Sequence, residues 1–502
     1  MKIFITYSFL LFSASLCFGQ QESSYVKGII SNYAKQPLQL YRCYGDTILF
    51  VDSIRTDKNG AFSFFNTSPG FSQIKNFKGL YKVFLQYNQF FYLILNSANS
   101  YSKGGETDIE IKTTYNHDVF YNIASDSLKI IKSEENRRFY EFQNKQQQIN
   151  TANFFLLRMM RLYPIPDPFH KQIEDEYFKR YAAMDLFVKG QQKDKKIHGF
   201  ENLAGTIAKA YYQPVNPDWR QPDSWRDSII ASHFFDLFNP ADSFYINSNI
   251  LPEKMDLYLS LLTNKRDSYG QQVYDENAAV SGVKSFLEKI KSNQENFEFC
   301  LNYLLKKFNK EHKESVFLFL NDNYLKNEQN SCAPADNSFN WAREKASVIR
   351  GVQVGSMAPD FSIMKDKLTM YQLSADYTLI VFWASWCPHC VEEVPKIKKA
   401  IENFLIQGKE KNNEGKQSLG NVGLASIFVS LDNEEKPWAD FINKSDLGNF
   451  INLCEFKGWN GQIGKSYNVY ATPTLFLLDK DKKIIAKPEN TEQLINSLKF
   501  GQ

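Results

Sequence analysis

Residues 377–395, YTLIVFWASWCPHCVEEVP, decide the fold of the C-terminal part of this 502-residue chain. The first seven are almost continuously apolar, which is typical of a strand buried on both faces. Two cysteines, Cys387 and Cys390, follow after a short connection, and the residues after them have helical spacing. The stretch therefore predicts a buried strand that leads through a cysteine pair into a helix.

The same alternation continues on the C-terminal side of this stretch. The helix is expected to run to about residue 406, and a second buried strand follows at LASIFVSLD, residues 424–432. A helix at 436–444 comes next, followed by the strands TLFLLD and IIA and a closing helix near EQLINSL. Strands that alternate with helices and end in a β-hairpin predict an α/β fold for residues 346–502.

The positions of the two cysteines suit thiol-disulfide exchange. Cys387 falls at a helix N-terminus, where the helix dipole and free backbone N–H groups stabilise a thiolate, so it is the expected nucleophile. Cys390 lies one helical turn away and is expected to attack the mixed disulfide that Cys387 forms. Pro388 costs no hydrogen bond at the helix start, and the His389 imidazole is a further candidate for stabilising the thiolate.

A half zinc site and an inert structural disulfide are the alternative interpretations of the pair. Zinc would need a second pair of ligands at similar spacing, and neither the scattered histidines nor the other cysteines offer one. A peroxiredoxin site is excluded, because such sites have the pattern PxxxTxxC rather than a CxxC led by Trp386. We therefore expect no metal and no cofactor other than the redox-active Cys387–Cys390 disulfide.

Three sequence marks carry a resemblance to a known family. They are Ala358-Pro359-Asp360-Phe361, the stretch FWASWCPHCVEEVP, and Ala471-Thr472-Pro473-Thr474. On these marks, residues 353–499 resemble the thioredoxin-like family of TlpA and ResA type, bacterial proteins that work outside the cytoplasmic membrane. The resemblance implies a thioredoxin-like fold, a cis-proline at Pro473, and a Thr472 backbone that pairs with a substrate strand beside the active cysteines. Trp386, Thr472 and Pro473 are the expected substrate-binding residues.

Two positions bear on the proton that Cys390 must lose. Thioredoxins proper carry a buried Asp where this chain has Val381, so that proton relay is missing. The subfamily places a Glu three residues after the second cysteine, which makes Glu393 the candidate for handling the Cys390 proton. A solvated Glu on a helix surface is the alternative. Pro395 resembles the family's helix kink and is interpreted as structural.

The N-terminus has the pattern of an export signal. Residues 1–19 combine one Lys with an apolar stretch and end in small residues, which predicts a signal peptide cleaved after Gly19. A lipoprotein site at Cys17 is the alternative, but Leu16 before it is bulky. Past the signal no apolar run reaches the roughly 18 residues that a membrane-spanning helix needs. We expect export to the bacterial periplasm or cell envelope.

Two further regions are predicted between the signal and the redox region, so the chain is expected to be multidomain. Residues 20–115 alternate apolar and polar positions in short runs, which predicts an N-terminal β-sandwich, with Asn59-Gly60 as a hairpin signal. Residues 116–345 show helical spacing broken by Pro-rich loops, which predicts a central all-α domain. Neither region carries a motif with recognisable chemistry.

Charge and cysteine content limit the remaining functions. The 59 basic and 56 acidic residues give a net charge of +3, and no basic run is interleaved with aromatics, so nucleic-acid binding is not expected. Cys300 and Cys332, with 31 residues between them, are candidates for a structural disulfide in an oxidising compartment, or else are two buried free thiols.

Three functions fit the sequence. The first is a reductant that passes electrons to cysteines of exported proteins, including apocytochromes c, and is recharged by an upstream thiol-disulfide partner. The second is an oxidant or isomerase, because the Pro-His dipeptide is that of DsbA, a strong oxidant. The third is a partner-binding protein with a vestigial redox pair, which the intact Trp386, Cys387, Cys390 and Pro473 disfavour. The TlpA/ResA-like frame favours the reductant.

Overall fold

The computed structural model of the protein describes residues 24–65, 78–96, 109–119, 121–197, 200–266, 271–325, 337–364, 367–413 and 423–500. The chain divides into two compact units, with the division between Lys307 and Phe308. The predicted signal peptide and Cys332 lie outside the described residues, so export and the Cys300–Cys332 disulfide stay predictions. Within the described ranges, no helix has the length and apolarity needed to cross a membrane.

Two four-stranded sheets begin the first unit. Strands β1 (Ser24–Ser31), β4 (Ala61–Phe65), β7 (Ile109–Thr114) and β8 (Lys129–Lys132) form one, in the order β4-β1-β7-β8. Strands β2 (Pro37–Tyr44), β3 (Thr47–Arg55), β5 (Gly79–Phe84) and β6 (Phe90–Leu95) form the other, in the order β3-β2-β5-β6. Alternate residues are buried, as the two-residue period of a strand requires, and both sheets contribute to one apolar core.

The turn at Asn59-Gly60 does not close a hairpin, contrary to the prediction. Strand β3 pairs with β2, whereas β4 pairs with β1 in the other sheet. The Asp57 carboxylate accepts hydrogen bonds from the backbone N–H groups of Asn59 and Ala61, and Gly60 has φ of +79°. The turn signal was therefore correct, but the turn carries the chain from one sheet to the other.

The first sheet extends past residue 115, where the sequence analysis ended the β region. Strand β8, with the sequence KIIK, pairs with β7, although it lies in the region 116–345 that was predicted to be helical. Four residues are too few to separate a two-residue period from a helical one. The sandwich arrangement and the three-domain layout stay predictions.

Helices dominate the rest of the first unit. They are α1 (Ile123–Asp126), α2 (Glu134–Leu162), α3 (Pro168–Gln191), α4 (Leu203–Tyr211), α5 (Asp223–Ser232), α6 (Ile250–Thr263), α7 (Glu276–Ile290) and α8 (Gln294–Lys310), with a 3₁₀ turn at Tyr245–Asn247. The last three residues of α8 fall in the second unit. Two short antiparallel ladders interrupt them, β9 (Lys196–Ile197) with β10 (Phe200–Glu201) and β11 (Asn264–Arg266) with β12 (Gln272–Tyr274). The central region is therefore not purely helical as predicted, because two- and three-residue strands leave no periodicity in a sequence.

The second unit is built on a five-stranded mixed sheet of order β17-β16-β15-β18-β19. Its strands are β15 (Tyr377–Trp383), β16 (Leu424–Ser430), β17 (Ile451–Cys454), β18 (Thr474–Leu478) and β19 (Ile484–Ala486). Strands β15, β16 and β17 are parallel, and β18 and β19 run antiparallel as a terminal hairpin. The central position of β15 explains its continuous apolar sequence, since both of its faces are covered.

Helices cover both faces of this sheet. They are α9 (Glu314–Leu320), continued by a π-helical turn at Asn321–Leu325, then α10 (Asn340–Gly351), α11 (Pro388–Asn413), α12 (Glu435–Lys444), α13 (Gln462–Ser466) and α14 (Thr491–Phe500). Short 3₁₀ turns lie at Asn337–Phe339, Met370–Gln372 and Gly458–Asn460, and β13 (Ser362–Met364) pairs with β14 (Leu368–Thr369). One core includes side chains of α11, α12 and α14, and a second lies on the opposite face. The predicted strands β15, β16, β18 and β19 and helices α11, α12 and α14 occur in the predicted order, with α11 longer than expected, whereas strand β17 and helix α13 were not predicted.

Candidate redox site

The cysteine pair lies where the central strand β15 passes into helix α11. The Cys387 N–H donates to the Ala384 carbonyl, and the Cys387 carbonyl accepts from Cys390 and Val391, so the first helical turn begins at the nucleophile. Cys387 is 7% exposed and Cys390 is fully buried. Both are free thiols here. A partner can therefore reach Cys387 before Cys390.

The predicted proline loop faces the first thiol. The Thr472–Pro473 peptide bond is cis, as the resemblance implied. The Cys387 Sγ lies 3.2 Å from the Thr472 carbonyl oxygen, which accepts a hydrogen bond from the thiol. Sequence positions 85 residues apart are thus brought into contact. The structure places three of the predicted site residues, Cys387, Thr472 and Pro473, together.

The two thiols differ in their readiness to ionise. Burial raises the pKa of Cys387, but hydrogen bonds from the Thr472 side chain, from Cys390 and from the His389 backbone outweigh it and lower the pKa below the usual value of a thiol. The Thr472 carbonyl accepts from the thiol form, so the lowering comes from the other hydrogen bonds, first that of the Thr472 side chain and then those of the first helical turn. Burial raises the pKa of Cys390 to about 12. Cys387 is therefore the more acidic of the two thiols, as expected of the nucleophile.

A buried carboxylate that the sequence analysis missed holds the loop before Cys387. Asp432, 2% exposed, follows strand β16. Its carboxylate accepts from the Ser385 hydroxyl at 2.6 Å, the Ser385 backbone N–H at 3.1 Å and the Ser430 hydroxyl at 2.6 Å. These bonds fix the connection two residues before the nucleophile.

Glu393 was the candidate for accepting the Cys390 proton and His389 the candidate for stabilising the Cys387 thiolate, but the side-chain contacts of Glu393 are with other groups. The Glu393 carboxylate accepts from the Lys396 ammonium at 2.7 Å and the Thr491 hydroxyl at 2.8 Å, and these bonds lower the pKa of Glu393. His389 is exposed, and it is its backbone N–H that acts on Cys387. The structure therefore does not bring the Glu393 carboxylate into a hydrogen bond with Cys390, and its role as proton acceptor stays a prediction.

Aromatic rings border the site on its open side. Trp386, 51% exposed, contacts Trp459 with ring centroids 6.1 Å apart and planes at 62°. Val381, at the position of the missing buried Asp, is fully buried in β15. Helix α11 continues through Pro395 to Asn413. The exposed ring of Trp386 thus presents apolar surface next to the nucleophile.

Paired thiols of unequal acidity at a helix start support one reaction. The accessible thiolate attacks a disulfide, and the buried thiol then releases the product by closing the internal disulfide. The protein is accordingly a thiol-disulfide oxidoreductase with a thioredoxin-like C-terminal domain.

Comparisons with known proteins agree with this class. A family described as thioredoxin-like matches residues 375–484. The thioredoxin-like protein YneN of Bacillus subtilis (strain 168) is 31% identical over 133 residues, which cover 26% of this chain and 68% of YneN. The thiol-disulfide oxidoreductase ResA of Bacillus cereus (strain ATCC 10987 / NRS 248) is 29% identical over 156 residues, covering 30% of this chain and 78% of ResA.

Among solved structures, a thiol-disulfide oxidoreductase from Bacteroides fragilis NCTC 9343 is 30% identical, with a TM-score of 0.22, and the match covers 29% of this chain and all of that one. The sequence match to YneN shows the family. The chain belongs to the thioredoxin-like family through its C-terminal region.

Proposed function

We propose that the protein is an exported reductant that transfers electrons from Cys387 and Cys390 to disulfides of other exported polypeptides in the bacterial cell envelope or periplasm. The signal-like residues 1–19 support export. Apocytochromes c are among the substrates that the family resemblance suggests. An upstream dithiol donor would return the pair to its reduced form.

The reaction takes two exchange steps. The Cys387 thiolate attacks one sulfur of the substrate disulfide, forms a mixed disulfide and releases the other substrate sulfur as a thiolate. Cys390 then loses its proton and attacks Cys387, so that the substrate's second sulfur leaves as a thiolate. The substrate gains two electrons, and the protein keeps the Cys387–Cys390 disulfide.

The direction of electron flow rests on one observation about His389. A strong oxidant needs its reduced form stabilised, chiefly through a stable nucleophilic thiolate. Hydrogen bonds lower the pKa of Cys387 despite its burial, but His389 contributes to this lowering only its backbone N–H, which any residue except proline would supply. The Pro-His dipeptide therefore gives this site little of the thiolate stabilisation that a strong oxidant requires.

The regions before residue 346 complete the proposal. We assign the two sheets, which extend from Ser24 to Lys132, to a β-sandwich and the region that follows them to a mainly helical domain. Two sheets that share one core support the first assignment. The run of helices from α2 to α8 supports the second.

Equilibration of the full chain with glutathione buffers, followed by thiol counting on Cys387 and Cys390, tests the direction. We expect a potential well below the value of about −120 mV of DsbA. A potential near that of DsbA would instead establish an oxidant.

A second experiment tests the two-step reaction. Cys390→Ser should accumulate mixed disulfides at Cys387, and Cys387→Ser is the matched control. Equal adduct levels in the two variants would contradict the two-step reaction.

A further inference from the structure

A ring pair lies on the loop that leads to the cis-proline. The imidazole of His312 stacks on the phenol of Tyr470, with centroids 3.7 Å apart and planes within 7°. Tyr470 is 47% exposed, and His312 is exposed as well. Tyr470 precedes Thr472 by two residues, so their Cα atoms are at most about 7 Å apart. Because the Thr472 carbonyl contacts the Cys387 thiol, Tyr470 lies two residues along the loop from the group that contacts the nucleophile.

The pair is held in place from both sides. The Asn468 side chain begins the same loop, accepting from the Lys345 ammonium at 2.5 Å and donating to the Glu314 carboxylate at 2.5 Å. Asn468 is buried and has φ of +52°, a conformation that asparagine tolerates after a helix. His312 also has positive φ, +55°, in the turn between α8 and α9. The backbone therefore has a defined conformation at His312, from which one ring projects, and at Asn468, two residues before Tyr470, from which the other ring projects.

Half of this arrangement comes from outside the matched family region. His312, Glu314 and Lys345 belong to the segment that precedes the redox domain, whereas the family match begins at residue 375. All of the groups lie in the second compact unit. The preceding segment therefore contributes to the surface beside the substrate loop.

We infer that the stacked rings of His312 and Tyr470 form a platform that binds the polypeptide flanking a substrate cysteine, so that the site prefers polypeptide disulfides over small ones. This inference rests on the proposed function. An exposed ring face binds apolar or planar side chains, and its contribution is in the range of an aromatic pair. A polypeptide that pairs with the Thr472 backbone extends along the loop and can reach Tyr470. A small disulfide that occupies only Cys387 does not extend that far.

The first exchange step isolates this preference from the direction of electron flow. In the Cys390→Ser background, the rate constant of mixed-disulfide formation is measured with insulin as the polypeptide disulfide and with 5,5′-dithiobis(2-nitrobenzoate) as the small one. For His312→Ala and for Tyr470→Ala we expect the ratio of the insulin rate to the small-disulfide rate to fall about fivefold. His312→Phe, which keeps a flat ring, should restore most of the ratio.

Controls separate binding from loop distortion. His117→Ala, which removes an exposed histidine of the first unit, should leave the ratio as in the parent. An unchanged ratio in His312→Ala overturns the inference. So does a proportional loss with both disulfides accompanied by a raised Cys387 pKa, since that result means that the rings only support the loop. Failure of the parent to form adducts with either disulfide would instead refute the proposed function.

Discussion

Replacing Asp432 by Ala should lower the free energy of unfolding of the second unit and raise the pKa of Cys387. The substitution removes the acceptor of three hydrogen bonds, two from Ser385 and one from Ser430. Bonds to a charged group contribute about 1.5–3 kcal/mol each, but the two hydroxyls can turn to other partners. The Ser385 backbone N–H cannot turn. We therefore expect a loss of about 3 kcal/mol in the free energy of unfolding, not the sum of three bonds.

Calorimetry of the full chain measures this loss. The transition of the second unit is identified by its shift when the Cys387–Cys390 disulfide is formed. For a unit of this size, about 3 kcal/mol corresponds to a fall of about 6–12 °C in the midpoint. The freed loop should also raise the pKa of Cys387, seen as a higher midpoint in the thiolate absorbance titration.

Glu402→Ala is the matched control for this prediction. Its carboxylate is 49% exposed and lies 3.6 Å from the Lys398 ammonium, a surface interaction of about 0–1 kcal/mol. If Asp432→Ala falls within about 0.5 kcal/mol of Glu402→Ala and leaves the Cys387 titration unchanged, the Asp432 carboxylate does not hold the loop.

Iodoacetamide at neutral pH should label Cys387 first and fully buried Cys300 only after unfolding, which peptide mass spectrometry of timed samples can verify. Glu393→Gln should destabilise the protein at pH 7 more than Glu392→Gln does. Because hydrogen bonds from Lys396 and Thr491 lower the pKa of Glu393, this excess is present above the ordinary pKa of 4.5 and is lost as the pH falls through the folded value. Urea unfolding at pH 7 and pH 3 measures it, and an excess that persists at pH 3 would be inconsistent with the charge as its source. His389→Thr should change the reduction potential little, because threonine keeps the backbone N–H; a large fall would mean that the imidazole does stabilise the thiolate.

Elements with a long local pattern were predictable from the sequence. Strand β15, the cysteine pair and helix α11 form one continuous signal, and β16 and β18 are apolar runs between clear breaks. Strand β17 was missed because INLC is a half-buried edge strand of four residues, with neither an apolar run nor a clean alternation. Strand β8 was missed for the same reason of length.

The contacts that complete the site are non-local, which is why sequence reasoning found only part of them. Glu393 bonds to Thr491, 98 residues later, and no local pattern links the two. The Asp432–Ser385 contact did have a signal. Parallel neighbours β15 and β16 pair Trp383 with Ser430, so the residues two positions beyond each strand meet at the same edge of the sheet.

The order of the two exchange steps follows from the interaction between the thiols. The pKa of Cys390 is raised to about 12, so Cys390 is protonated at neutral pH. Burial is the main cause, but a hydrogen bond and charge repulsion from Cys387 raise the pKa of Cys390 further. Once Cys387 is joined to a substrate sulfur it carries no negative charge, so that repulsion disappears and Cys390 becomes easier to ionise. Formation of the mixed disulfide therefore lowers the pKa of Cys390, the thiol that attacks it. In the free dithiol, Cys390 stays protonated until a substrate is bound.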